Sequence, residues 1–514
     1  MTPVSENATV VRPADDDPLV AAATERICGR SGQHRGRFIG FWTPLRSIVL
    51  LATLAYTVGY LSKLPCHAEN FLGDARYTRL CYSDIPYLYQ LRGFADGWLP
   101  YVQTGTGRGP ALEYPVLTGA FMQVASWLTG KDGSATARSI EFYDWNVLLL
   151  FVCLIVTVVC TALTVRRRPW DAALVALAPG VILCAVINWD LLAVALTSAS
   201  MLLWSRSKVG WSGVLLGLAV AAKFYPVLLL GPLLVLCIRA GRMRAFWIAT
   251  AGAVGAWLVV NVPIYLLNHD GWAEFYRFSS TRGADWGSLW YVLSVVGHPV
   301  ADDKLNLVAI GLLGVLCLGI AWLIIGSERR PRFAQVAFLA VAAFCLTNKV
   351  YSPQYVLWLV PLAAMARPRW RDFIIWQCGE VVYFAAVWYF LQQYGNDNKG
   401  LPYGWYAAAI MVHIVFTAWF AAVVVRDIRH PWKDPVRTDG RPEHLDDPGG
   451  GVLDFAPDRR TFSRLKYAGA DDHVATDDLS ASGHHGAHAF VAASATLDDR
   501  LIDGPPLDGP PLDG

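Results

Sequence analysis

Apolar runs close to twenty residues long recur through the middle of this 514-residue chain, divided by short arginine-bearing loops. About twenty apolar residues in a helix cross the hydrocarbon of a bilayer. Only helices and closed barrels satisfy every backbone polar group there, and runs of this length are helical. Only 16% of the residues are charged, and mean hydropathy is +0.36 although both ends are polar. A typical soluble protein carries about 25% charged residues. An ordinary soluble enzyme, a disulfide-framed secreted module and a disordered scaffold are therefore excluded. The formal net charge of +2 argues against a nucleic-acid binder, which usually carries a strong basic excess. The reading is an all-α polytopic membrane protein.

Twelve spans are expected, at about 44–62, 145–165, 171–187, 190–205, 209–223, 226–239, 244–266, 305–325, 333–347, 354–366, 371–392 and 404–425. Residues 1–43 and 427–514 read as disordered cytoplasmic tails, because segments so polar bury too little apolar surface to offset their ordering entropy. The first apolar run begins only near Ser47, which argues against a cleaved secretory signal. His484 and His485 read as part of a solvated low-complexity tail rather than as metal ligands.

Basic residues cluster in cytoplasmic loops. Arg166–Arg168, Arg206 with Lys208, Arg239 with Arg242 and Arg244, Arg329 with Arg330 and Arg332, and Arg367 with Arg369 and Arg371 all fall on one side if both termini are cytoplasmic. That arrangement requires 112–129 not to cross, so this stretch is expected to be a helix at the outer surface.

The same topology gathers unusual residues on the opposite side. Asp84 and Glu113, with Tyr114, stand in the first outer loop. Asn188 and Asp190 lie in NWD, Lys223 in KFYP, and Lys349, Tyr351, Gln354 and Tyr355 in NKVYSPQY. Arg282, Asp285 and Trp286 lie in STRGADWGSLWY. One reading is that lysines at span edges merely snorkel and tryptophans form an interfacial belt. Five such groups on one face instead suggest a wet cavity open to the outer leaflet. Cations there suit a phosphate and carboxylates suit proton transfer, so a lipid-linked anionic substrate fits.

Other features have competing readings. Asp84 precedes Ile85-Pro86, a context suited to helix capping as well as to catalysis. Gln377 and Glu380 inside a span could line the cavity or join helices. His298 reads as a solvated turn residue, and Asp302 and Asp303 as a solvated loop end. Cys66 and Cys81 share the outer loop, and a disulfide between them would contribute about 3 kcal/mol by loop entropy. No metal-binding spacing, nucleotide-sugar DxD motif or glycine-rich phosphate loop is present, so no metal or nucleotide cofactor is expected.

SDIPYLYQLRGFADGWLPY (83–101), then EYPVL, resembles a family pattern of an Asp-containing segment, G-x-x-P-Y and Y-P-P-L; here the second proline of the last motif is Val116. KFYPVLLLGPLLV and NKVYSPQYVLWLVPL are similar to that family's Lys-x-x-Pro and Y-x-x-Q-Y-x-x-W-x-x-P stretches. Together they resemble glycosyltransferase family 87, polytopic GT-C enzymes that include polyprenyl-phosphate-mannose-dependent mannosyltransferases, over roughly residues 44–425. The resemblance implies a GT-C-like bundle of about twelve spans with juxtamembrane helices in the first outer loop. It also implies a hexosyltransferase of the plasma membrane that acts in cell-envelope biosynthesis.

Asp84 falls on the family's catalytic-base position, with Asp96 as the second choice. Lys349, Lys223, Arg282, Tyr351 and Gln354 are expected to bind the donor phosphate and sugar. Glu113, Tyr114, Asn188, Asp190, Asp285 and Trp286 are expected to line the cavity. The partners would be a polyprenyl-phosphate sugar donor, a glycolipid or glycan acceptor and membrane lipids, with no nucleic acid and an oligomeric state the sequence leaves open. The competing functions are a transporter or flippase of lipid-linked substrates, against which no inverted repeat of spans is found, and a non-catalytic membrane scaffold.

Overall fold

The computed structural model describes residues 10–28, 41–103, 112–395, 399–438 and 446–461. Among these, every regular element is helical. Six helices are long and apolar enough to cross a membrane: Pro44–Leu61, Ala135–Thr164, Met243–Leu267, Asp302–Gly326, Trp370–Tyr394 and Tyr403–Arg429. Their starts are written locally. Thr43 accepts a hydrogen bond from the Arg46 amide with Pro44 next in line, and Ser134 accepts one from the Ala137 amide, which satisfies donors that a helix start otherwise leaves open.

Six further apolar helices are shorter, at 10–17 residues: Val116–Leu128, Asp190–Ser205, Val209–Ala222, Tyr225–Ala240, Phe333–Thr347 and Pro353–Ala366. Eleven of the expected spans thus coincide with a helix, five of them with a short one. The twelfth, 171–187, is not a single helix. It breaks into a 3-10 turn at Pro169–Ala172 and helices Ala173–Ala176 and Pro179–Cys184. Pro179 explains the break, since a residue before proline is driven from the helical region, and Ala178 is extended. The broken segment packs closely on the first long helix, where a Cβ on Gly59 would lie 2.3 Å from the Ile182 carbonyl oxygen.

The unwound chain at 185–189 exposes backbone carbonyls, and the first loop docks on them. The Ser83 hydroxyl donates to Val186 O at 2.8 Å, and the Asp84 amide donates to Ile187 O at 2.8 Å. Cys66 and Cys81 are joined by a disulfide, with their Cα atoms 5.8 Å apart.

Helices in the bundle carry different chemistry at their two ends. Asp190–Ser205 runs from Asp190 to Arg206, Val209–Ala222 from Lys208 to Lys223, and Phe333–Thr347 from Arg332 towards Lys349. The arginine ends gather the terminal segments, which corrects the expectation of disordered tails at 1–43 and 427–514 for their described parts. The last long helix continues to Arg429. Beyond it, Asp434 binds Arg332 at 2.8 Å with both side chains buried, and Arg332 also donates to Met365 O and Ala366 O. Asp458 receives Arg239 at 2.6 Å and Arg330 at 2.7 Å. At the other terminus Asp16 pairs with Arg168 at 2.6 Å, and Asp17 accepts the Trp370 amide.

The acidic composition that read as solvation supplies counter-ions to arginines buried by neighbouring loops, and a buried charge without a partner is costly. The fit is tight: a Cβ on Gly451 would meet the Trp204 carbonyl oxygen at 2.0 Å. His484 and His485 lie outside the described residues.

Candidate active site

At the ends of the helices opposite the arginines, the first loop, the broken segment and the turns after Ala222, Thr281 and Thr347 enclose a cavity of about 570 Å³. That size is typical of small-molecule sites. Asp84 stands on its wall. It occupies the N-cap position of helix Ile85–Leu91, yet its side chain makes no capping bond. Its carboxylate instead accepts the Tyr82 hydroxyl at 2.8 Å. The capping explanation of Asp84 therefore does not describe this residue.

Burial in the cavity wall pushes the Asp84 carboxyl up to about 6, the Tyr82 hydrogen bond and the Lys223 charge pull it down, and Asp190 and Glu113 push it up. A carboxylate poised there is a competent general base near neutral pH.

Lys223 caps helix Val209–Ala222 in extended backbone, so its side chain turns into the cavity. Its ammonium meets Asp190 at 2.6 Å and lies 5.3 Å from the Tyr114 ring and 5.8 Å from the Trp358 ring. Asp190 itself is 1% exposed and sits behind Lys223. Glu113 lines the cavity in a two-point pair with Arg92, at 2.6 and 2.7 Å. Arg282 lines it as well and binds Asp285 at 2.5 Å. Asp285 turns away from the cavity to hold this arginine and the Trp286 amide. Tyr114, Asn188, Trp286, Gln354 and Tyr355 complete the sequence-chosen lining.

Besides Asp190 and Asp285, which stand behind Lys223 and Arg282, three more sequence-chosen residues lie outside the lining. The Lys349 ammonium donates to the carbonyls of Ser279 (3.0 Å) and Ser280 (3.3 Å), closing the C-terminal end of helix His269–Thr281. Burial and the nearby Arg282 lower its pKa. Tyr351 is buried in the bundle, its hydroxyl 3.2 Å from Thr417 and its ring 3.9 Å from His413. Asp96 is exposed in the turn Phe94–Asp96, outside the cavity lining.

Glu380 and Gln377 take the helix-joining role. Glu380 accepts from Trp376 and Thr417, and Gln377 accepts the Gly180 amide. His298 is exposed, and Asp302 and Asp303 open a long helix.

Sequence reasoning missed Arg76, Tyr77, Tyr82, Tyr87 and Trp388, all of which line the cavity. The five-residue spacing of Tyr77, Tyr82 and Tyr87 fits neither a helix nor a strand, and it was the available signal.

Residues 113–347 match the model for glycosyltransferase family 87. What the match implies is a membrane glycosyltransferase, in keeping with the six apolar helices. The matched stretch contains Glu113, Asp190, Lys223 and Arg282; Asp84 and the 348–355 turn fall outside it. No curated protein matches the chain significantly.

Proposed function

We propose that this membrane glycosyltransferase moves a hexose, with mannose the leading candidate, from a polyprenyl-phosphate sugar to a glycolipid or polysaccharide of the cell envelope. The reaction would run on the extracytoplasmic face of the plasma membrane, with both termini cytoplasmic. Asp84 removes the proton from the acceptor hydroxyl as that oxygen attacks the anomeric carbon. The bond from that carbon to the phosphate oxygen breaks on the opposite face, which inverts the configuration and releases polyprenyl phosphate. Lys223 and Arg282 stabilise the charge gathering on the leaving phosphate. Lys349, engaged with two carbonyls, acts by fixing the turn before Arg282.

The observation that carries this reading is the Asp84 carboxylate, excused from capping and set in a cavity that also holds Lys223. A positioned base contributes about 10²–10⁴-fold, and fixed charges aimed at the leaving group contribute a comparable or larger share. The test is label transfer from polyprenyl-phosphate-mannose into endogenous glycolipids, in membranes carrying the wild-type chain or Asp84→Asn at matched expression. Transfer by the wild type alone is expected. Equal transfer by both removes Asp84 as base, and transfer by neither removes mannose or the lipid-phosphate donor.

A further inference from the structure

The cavity cations differ in one respect. Lys223, Arg92 and Arg282 each hold a carboxylate, Asp190, Glu113 and Asp285 respectively. Among the described residues, Arg76 has no such partner. Its guanidinium lines the cavity and donates only to neutral phenols, the Tyr87 hydroxyl, which in turn donates to Phe71 O, and the neighbouring Tyr77. Its Nε–H is buried with no acceptor. A guanidinium has five donors in a planar fork that matches two oxygens of a phosphate or carboxylate, so most of this capacity is uncommitted.

The surroundings hold Arg76 in place. Its backbone carbonyl accepts the amide of Cys81, which is tied to Cys66. Its guanidinium packs 4.7 Å from the Tyr77 ring and 5.3 Å from the Tyr87 ring. Those rings stack on either side of Tyr82, each 5.9 Å from it, and Trp388 lies 4.8 Å from Tyr82. Tyr82 also donates to Asp84. The ladder therefore runs from the proposed base to the uncommitted cation.

We propose that Arg76 and this tyrosine ladder form the acceptor subsite, and that the acceptor is a sugar or polyol head group bearing a phosphate-type anion. The inference rests on Asp84 being the base. The group that loses its proton to Asp84 lies against Tyr82, and whatever extends from it along the ladder meets aromatic rings and then Arg76. Lys223 and Arg282, near Tyr355 and Trp286, remain for the donor's phosphate. An acceptor without the anion would leave the guanidinium facing a sugar that cannot neutralise it.

The test measures binding, independent of transfer, on the purified full-length protein. The probes are dodecyl glucoside and its 6-phosphate, which differ only in the anion, and farnesyl phosphate as a stand-in for the donor's lipid phosphate. The wild type is expected to bind the phosphorylated glucoside about tenfold or more tightly than the neutral one, as a charge-assisted two-point contact should give. Arg76→Gln is expected to erase that preference and to leave farnesyl phosphate binding unchanged. Equal affinity of the wild type for the two glucosides overturns the proposal, as does a preference retained by Arg76→Gln. Loss of farnesyl phosphate binding in that variant also overturns it, by moving Arg76 to the donor side. If Arg76→Gln does not fold, Arg76→Lys decides: the charge without the fork should weaken the preference, and an undiminished one refutes the reasoning. Failure of sugar transfer in the wild type would overturn the proposed function while leaving these binding results legible.

Discussion

Asp84→Asn separates catalysis from stability, because the structure gives the two effects opposite signs. The carboxyl is held at about 6 against its ordinary 3.8, chiefly by burial. A difference of roughly two pH units corresponds to about 3 kcal/mol, and the side chain is only half-buried, so solvent screening reduces this to about 1–2 kcal/mol. A carboxyl raised in the fold contributes stability below its unfolded value near 4 and loses it as pH rises through about 6. At pH 7.5 the ionised Asp84 is therefore a net burden that asparagine removes.

The variant should lose about 10²–10⁴-fold in transfer rate and melt at the wild-type temperature or slightly above it. The wild-type rate should fall as pH drops through about 6, where the base takes up its proton. Radiolabel transfer and thermal melts of the purified protein, both from pH 5 to 8, read the two quantities. Transfer within tenfold of wild type, or a variant that melts several degrees lower at pH 7.5, would refute this account of Asp84.

Lys223→Met leaves Asp190, 1% exposed, without its cation, and should cost about 3–5 kcal/mol. Adding Asp190→Leu should recover most of the loss in thermal melts, and a double variant no more stable than the single one would contradict the pairing. Replacing Cys66 and Cys81 by serine opens a loop of fifteen positions and should lower stability by about 3 kcal/mol, with the wild type in reductant melting like the variant. Ending the chain at Arg429 strips Arg239 and Arg332 of Asp458 and Asp434. A lower melting temperature is expected, and an unchanged one would show that those arginines do not depend on the tail.

The helical class and eleven of twelve apolar segments were legible because hydropathy and length answer to the bilayer directly. The break at 171–187 was signalled by Pro179, but its composition is as apolar as its neighbours', and hydropathy cannot register a backbone turn. The sorting of Asp84, Lys223, Gln354 and Trp286 to one cavity followed from loop charge alone. Lys349 and Tyr351 share a turn with Gln354 and still point elsewhere, since a side chain's direction depends on backbone torsions that spacing does not encode. Asp434 and Asp458 were illegible as structural residues, because their arginine partners are more than a hundred positions away in sequence. Arg76 was missed for a related reason: what sets it apart is that no carboxylate among the described residues pairs with it, which only three-dimensional pairing reveals.

The pairing also bears on how the base would respond to substrate. The four cations Arg76, Arg92, Lys223 and Arg282 are equalled in number by Asp84, Glu113, Asp190 and Asp285 in and beside the cavity, although Arg76 and Asp84 form no pair, so an anionic donor tips the net charge negative. Lys223 is one of the groups holding the Asp84 carboxyl down, and a phosphate bound to Lys223 would cancel that pull. Asp84 should then hold its proton more tightly in the complex than in the free protein, and become the stronger base once donor is present. The acidic limb of kcat/KM reports the free protein and that of kcat the complex. The kcat/KM limb should therefore fall near pH 6 and the kcat limb higher. Coincident limbs would mean that the phosphate binds too far from Lys223 for Asp84 to register it, and would remove Lys223 from the leaving-group role.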